Sequence, residues 1–247
     1  ADCTSLDLQR FYKHLLDGGR VDRIEAKKKP KGLAPKTVRN IHQMIGSAYN
    51  LAMEQKLVTR NPTQGCALPK VEHKEMKTLT ADQLSAFFQE AGDSGVYELY
   101  YLDLATGLRR GELLALQWDD LDFKVGTLIV NKQVYEVKGQ LQVSVPKTRA
   151  SIRRLVLPPG VVEVLRQYRE TVDSRWMFPS PVKEDMPMTP GAVRRRLQII
   201  LERAGCKKIR FHDLRHPYVK HTTKIFSLRL MDFQAQAYPD ARRKTRG

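Results

Sequence analysis

Three short stretches of this 247-residue chain hold side chains suited to gripping and protonating a phosphate. The first is Thr106-Gly107-Leu108-Arg109-Arg110-Gly111-Glu112-Leu113. Gly107 permits a tight turn between helices, and Arg109 then stands at a helix start whose unpaired N–H groups also favour an anion. The second is Pro146-Lys147-Thr148. It follows a strand ending at Val145, so Lys147 sits on a hairpin loop from which a long cationic side chain can reach a phosphodiester and give up a proton. The third is Phe211-His212-Asp213-Leu214-Arg215-His216, where His212 and Arg215 share one face if the segment is helical. Each stretch also has a purely structural reading. Arg109 or Arg110 closes an ion pair with Glu112 or Asp119, Lys147 is only solvated, and His212 packs locally while Arg215 pairs with Asp213.

The elements that must position these groups follow from periodicity and caps. Thr4 with Asp7 forms a capping box, and Leu8, Phe11, Tyr12, Leu15 and Leu16 lie on one helical face before Gly18-Gly19. A basic loop with Lys27, Lys28, Lys29 and Lys31 follows. From Pro35 a longer helix carries Val38, Ile41, Ile45, Ala48, Tyr49 and Ala52 on one side, and Lys36, Arg39 and Lys56 on the other, until Asn61-Pro62. Thr80 with Gln83 caps a helix containing Leu84, Phe87 and Phe88, and an apolar helix runs from about Val96 to Thr106. A short helix at Glu112 to Leu116 precedes strands at Thr127 to Val130, Gln133 to Val137, Leu141 to Val145 and Arg153 to Leu157, with Lys138-Gly139 as a turn. Helices return at Val161 to Tyr168 and, after Thr189-Pro190, at Val193 to Ala204, with Gly205 as the stop. The expected fold is therefore mostly α with a small antiparallel β-sheet, an α+β class.

Composition narrows the partner. Forty-three Lys and Arg against 27 Asp and Glu give a formal charge of +16, which attracts polyanions and makes their binding depend on salt. Nucleic acid is the first candidate. No run approaches the ~20 apolar residues of a membrane span, and the start lacks a signal-peptide layout, so no membrane partner and a cytoplasmic location are expected. Cys3, Cys66 and Cys206 lie far apart, and the six His show no ligand spacing, so no metal is expected. There is no nucleotide-binding glycine loop, no internal repeat and no aromatic RNA-binding signature.

Taken together, the order Arg109, Lys147, His212-x-x-Arg215 in a basic, helix-rich chain resembles the phage-integrase family of tyrosine site-specific recombinases, in particular integrases of conjugative transposons. The stretch A-T-G-L-R-R-G-E-L-L-A-L-Q-W-D-D-L-D looks like the family segment bearing its first catalytic arginine. The resemblance implies a helical core-binding domain over 1–66, a linker over 67–78 and a tyrosine-recombinase-like catalytic domain over 79–216. It implies that Arg109 and Arg215 neutralise the scissile phosphate, that Lys147 acts as a general acid toward the leaving 5′ oxygen, that His212 positions or protonates, and that Glu112 supports them. Lys28, Lys29, Lys31, Lys36 and Arg39 are the expected contacts to double-stranded DNA. A tyrosine attack giving a 3′-phosphotyrosine conserves bond energy, so no cofactor is implied. Oligomers on DNA, tetramers in the family, and integration of a mobile element are implied as well.

After His216 the family pattern fails. The family continues with Thr, an apolar helix, an L-G-H or L-G-W turn and the nucleophilic Tyr, whereas this chain has Pro217 and no L-G-H. Tyr218 lies too near Arg215, which leaves Tyr238, between Ala237 and Pro239, as the better candidate nucleophile. Residues 217–247 are expected to form an atypical basic tail, and a family N-terminal segment with an arm-site-binding domain is expected to precede residue 1. Two readings stay open: a recombinase, and a catalytically incomplete DNA-binding relative without a recognisable nucleophile.

Overall fold

A computed structural model describes residues 3–23, 30–72, 78–145 and 152–215 of the chain. Two compact units divide it, residues 1–75 and 76–247, each with its own apolar cluster.

In the first unit, helix α1 (Ser5–Gly18) begins where the Thr4 hydroxyl accepts the Asp7 N–H at 3.3 Å and the Asp7 carboxylate accepts the Thr4 N–H at 3.0 Å. Both orphan donors are thereby satisfied. Leu8, Tyr12 and Leu15 form its buried face and meet Val38 of α2 (Pro35–Glu54). The phenol of Tyr12 and Nδ1 of His42 share a hydrogen bond of 3.0 Å. Helix α2 stops short of Asn61-Pro62 because Lys56 turns into the left-handed region (φ 58°). Asn61 then folds the chain back. Its amide donates to the Gly46 carbonyl and to Asn50, and its oxygen accepts from the N–H and hydroxyl of Thr63.

The second unit is built around one helix. The box of Thr80 and Gln83 caps α3 (Ala81–Asp93), and α4 (Tyr97–Thr106) follows, buried at every residue from Tyr97 to Ala105. A helix buried on all sides belongs at the centre of a core, and α4, which buries Glu98 and Asp103 along with its apolar residues, packs against α3, α5 (Arg110–Leu114), α6 (Pro159–Arg169) and the 3₁₀ turn Phe211–Arg215. The Tyr100 hydroxyl adds a 3.1 Å bond to the Val193 carbonyl of α7 (Pro190–Arg203).

The strands divide into two antiparallel sheets. β1 (Leu121–Asp122), β2 (Thr127–Val130) and β5 (Arg153–Val156) form one in the order β1-β2-β5; β3 (Gln133–Val137) and β4 (Gln140–Ser144) form the other. Both edges of β2 are occupied, so β3 pairs with β4 instead. Lys138 and Gly139, both at positive φ, make the two-residue turn between them, as the twist of a hairpin favours. Among the described residues no helix is long and apolar enough to cross a membrane.

Candidate functional site

The site grows from the end of α4. Gly107 adopts φ 59°, its N–H closing on the Asp103 carbonyl at 2.8 Å, and that left-handed turn releases the chain so that Arg109 becomes the N-cap of α5. The Arg109 side chain is 70 % exposed, while Glu112 beside it is only 5 % exposed. One oxygen of Glu112 accepts the Arg109 backbone N–H at 2.9 Å, and the other accepts its guanidinium at 3.0 Å.

The same carboxylate receives a second arginine from across the fold. Arg153, at the start of β5, donates two parallel bonds to Glu112, of 3.1 and 2.7 Å. Burial on its own would raise the Glu112 pKa, but the bonds from Arg153 and Arg109 outweigh it and hold the group down to about 2. The ion pair with Glu112 therefore forms without closing off the Arg109 guanidinium. One edge of its guanidinium is fixed by Glu112, and the rest faces solvent, an arrangement that presents a cation in a set orientation.

The third stretch also rests on α4. Phe211 and Leu214 are buried, with the Phe211 ring 6.2 Å from Tyr100, so the turn Phe211–Arg215 is pinned while His212 stays exposed. Asp213 is occupied by Arg210, whose guanidinium and backbone N–H all donate to it, and those bonds keep its carboxyl below the ordinary range. Arg109 and the backbone of the segment carrying His212 and Arg215 thus share one support.

Lys147 and Tyr238 lie outside the described residues, as do Lys28 and Lys29. Arg153, six positions after Lys147 in the sequence, opens β5 and pairs with the carboxylate that also holds Arg109. Lys31, Lys36 and Arg39 are exposed in the first unit. Lys36 and Arg39 border a polar groove of about 530 Å³ along α2, whose wall also includes Asn40, Gln43 and Asn50, and Arg39 donates to the Pro69 carbonyl at 3.3 Å. Among the described residues no group of three or more His, Cys, Asp and Glu could hold a metal ion. Arg153 is the residue that sequence reasoning missed, since no local spacing ties it to a carboxylate 41 residues earlier.

Comparisons with known proteins bear on this arrangement. The profile of the phage integrase family matches residues 77–223. The ICEBs1 integrase of Bacillus subtilis is 26% identical over 227 residues, covering 87% of this chain and 58% of that protein. A XerC-like tyrosine recombinase of Caldanaerobacter subterraneus is 25% identical over 251 residues, covering 90% of this chain and 60% of its own length. The chain thus spans less than two thirds of these relatives. In fold it is similar to the Tn1549 transposon integrase in complex with a circular intermediate DNA, with a TM-score of 0.72 at 19% identity over 94% of this chain and 76% of that one. It is also similar to a lambda integrase dimer bound to a COC′ core site, with a TM-score of 0.60 at 19% identity over 96% and 78%. These likenesses establish the mostly α fold with small antiparallel sheets.

Proposed function

This chain belongs to the phage integrase family, and on that premise we propose that it acts in site-specific recombination of a mobile DNA element, cleaving and rejoining a phosphodiester through a 3′-phosphotyrosine. The observation that carries the reading is Arg109, held at a helix start by a buried carboxylate yet open to solvent.

In this reading residues 1–66 form the core-binding domain, 67–78 the linker and 79–216 the catalytic domain. Arg109 and Arg215 grip the non-bridging oxygens of the scissile phosphate, where charge accumulates in the pentacoordinate transition state. Tyr238 attacks phosphorus, Lys147 protonates the departing 5′ oxygen, and His212 positions or protonates the phosphate. Glu112 supports by fixing Arg109. Lys28, Lys29, Lys31, Lys36 and Arg39 contact the backbone of duplex DNA, which the chain binds as an oligomer in the bacterial cytoplasm.

A second reading, a DNA-binding relative without turnover, is favoured by Pro217 and by the absence of an L-G-H turn before Tyr238. Incubation with a pool of nicked suicide duplexes separates the two. The first reading expects a denaturation-resistant protein–DNA adduct that Tyr238→Phe and Arg109→Ala abolish. The second expects salt-sensitive gel shifts and no adduct. No binding at any salt overturns both.

A further inference from the structure

A basic recess adjoins the turn that presents Arg109. Arg110 and Gly111 open α5, Val134, Tyr135 and Glu136 belong to β3, and Pro190, Gly191 and Arg194 open α7. Together they line an open cavity of about 340 Å³. Its back wall depends on a close approach, because a Cβ on Gly111 would stand 2.6 Å from the Val134 carbonyl oxygen. That contact presses α5 onto β3 and leaves Arg110 half-buried beside the strand.

The two arginines are in an unusual position. Arg109 is engaged by Glu112, but neither Arg110 nor Arg194 makes a hydrogen bond or ion pair among the described residues. Burial pushes the Arg110 guanidinium below its ordinary range, and the charge of Arg194 pushes the same way. An arginine stays protonated regardless, so the pair carries a repulsion that an anion between them would relieve. Glu136, the one carboxylate among the lining residues, pairs with neither, and two cations to one acid leave the recess positive. Tyr135, 40% exposed, also lines the recess.

We propose that Arg110 and Arg194 form a phosphate-binding recess, occupied in the DNA complex by a backbone phosphate other than the one Arg109 grips. The identification of the phosphate as DNA rests on the function proposed above; the recess itself does not. Arg109 is the extended N-cap of α5, tied to Glu112 and absent from the lining, whereas Arg110 lines the recess with Arg194, so the two arginines are assigned different phosphates. A non-scissile phosphate held in this way sets the register of the duplex against the site without reading its sequence.

The test uses the full chain, with Arg110→Met, which keeps the apolar stem, Arg194→Ala, the double variant, and Arg203→Ala as a charge-matched control at the far end of α7. Binding of a labelled random-sequence duplex is followed by anisotropy across a salt series. Each single variant is expected to weaken binding about three- to tenfold at 0.1 M salt and to flatten the log–log salt slope by about one, with Arg203→Ala near wild type. The double variant should bind little worse than the weaker single, because both side chains share one ligand. Additive losses, or an unchanged slope in both singles, overturn the DNA assignment. In parallel, inorganic phosphate at constant ionic strength should raise the melting temperature of wild type and not of the variants. If wild type binds no duplex at all, the proposed function fails while this arm still decides the recess. If phosphate stabilises wild type and variants alike, the recess itself is overturned.

Discussion

Glu112 concentrates more of the site's electrostatics than any arginine it holds, because both oxygens of one buried carboxylate serve two guanidiniums and a backbone N–H. Removing its charge leaves Arg153 and Arg109 facing a neutral amide. Glu112→Gln is therefore expected to lower unfolding free energy by about 2–3 kcal/mol at neutral pH, measured by urea titration. The pH dependence has a definite sign. The folded pKa, about 2, lies below the ordinary 4.5, so the stabilisation is complete above about 4.5 and drains away as pH falls toward 2. Wild type and Glu112→Gln should differ most above pH 5 and converge in acid; a gap that persists at pH 2 would mean the bonds do not act through the carboxylate's charge. At this scale the sequence was informative where chemistry is local. Arg109 and Glu112 sit three apart, and an ion pair between them is readable from the string, although the backbone cap that accompanies it is not. The tie to Arg153 is not, since it depends on how the hairpin brings β5 back to α5.

At the scale of elements, caps and periodicity were legible because they are enforced within a turn or two. Thr4 with Asp7 and Thr80 with Gln83 start α1 and α3 where their side chains predict, and Gly107 and Gly205 terminate helices at positive φ. What the string hid was pairing between distant segments. The two-residue β1 is too short to show alternation, yet it takes one edge of β2 and thereby helps exclude β3, so that one expected sheet becomes two. The end of α2 was hidden too, because Lys56 in the left-handed region carries no glycine to advertise it. Gly111 is the element-scale residue that most rewards a test. Helix propensity alone favours alanine there by roughly 1 kcal/mol, but the added methyl would meet a backbone oxygen that cannot move aside cheaply. Gly111→Ala should destabilise by about 1–3 kcal/mol, seen as a lowered melting temperature. A rise in melting temperature would mean that α5 and β3 are not in close contact.

At the scale of the whole molecule, the core is distributed unequally between the two units. The first unit's cluster of buried residues is Leu8, Tyr12, Leu15 and Val38, whereas the second unit's extends from Leu79 to Leu214 and takes in all of its α-helices. Stability follows the apolar area withdrawn from water, so the first unit should melt at the lower temperature, and scanning calorimetry should resolve two transitions. Tyr12→Ala, which deletes the largest buried ring of that unit and its bond to His42, should lower only the first transition. The same unit exposes Lys31, Lys36 and Arg39, and a ligand that binds only the folded form stabilises it by mass action. Random-sequence duplex at low salt is accordingly expected to raise the lower transition by several degrees, and the rise should vanish near 1 M salt, where the Debye length is about 3 Å. A lower transition unmoved by duplex at low salt would remove the first unit from the DNA-binding surface and leave the charge of the second unit to carry it alone.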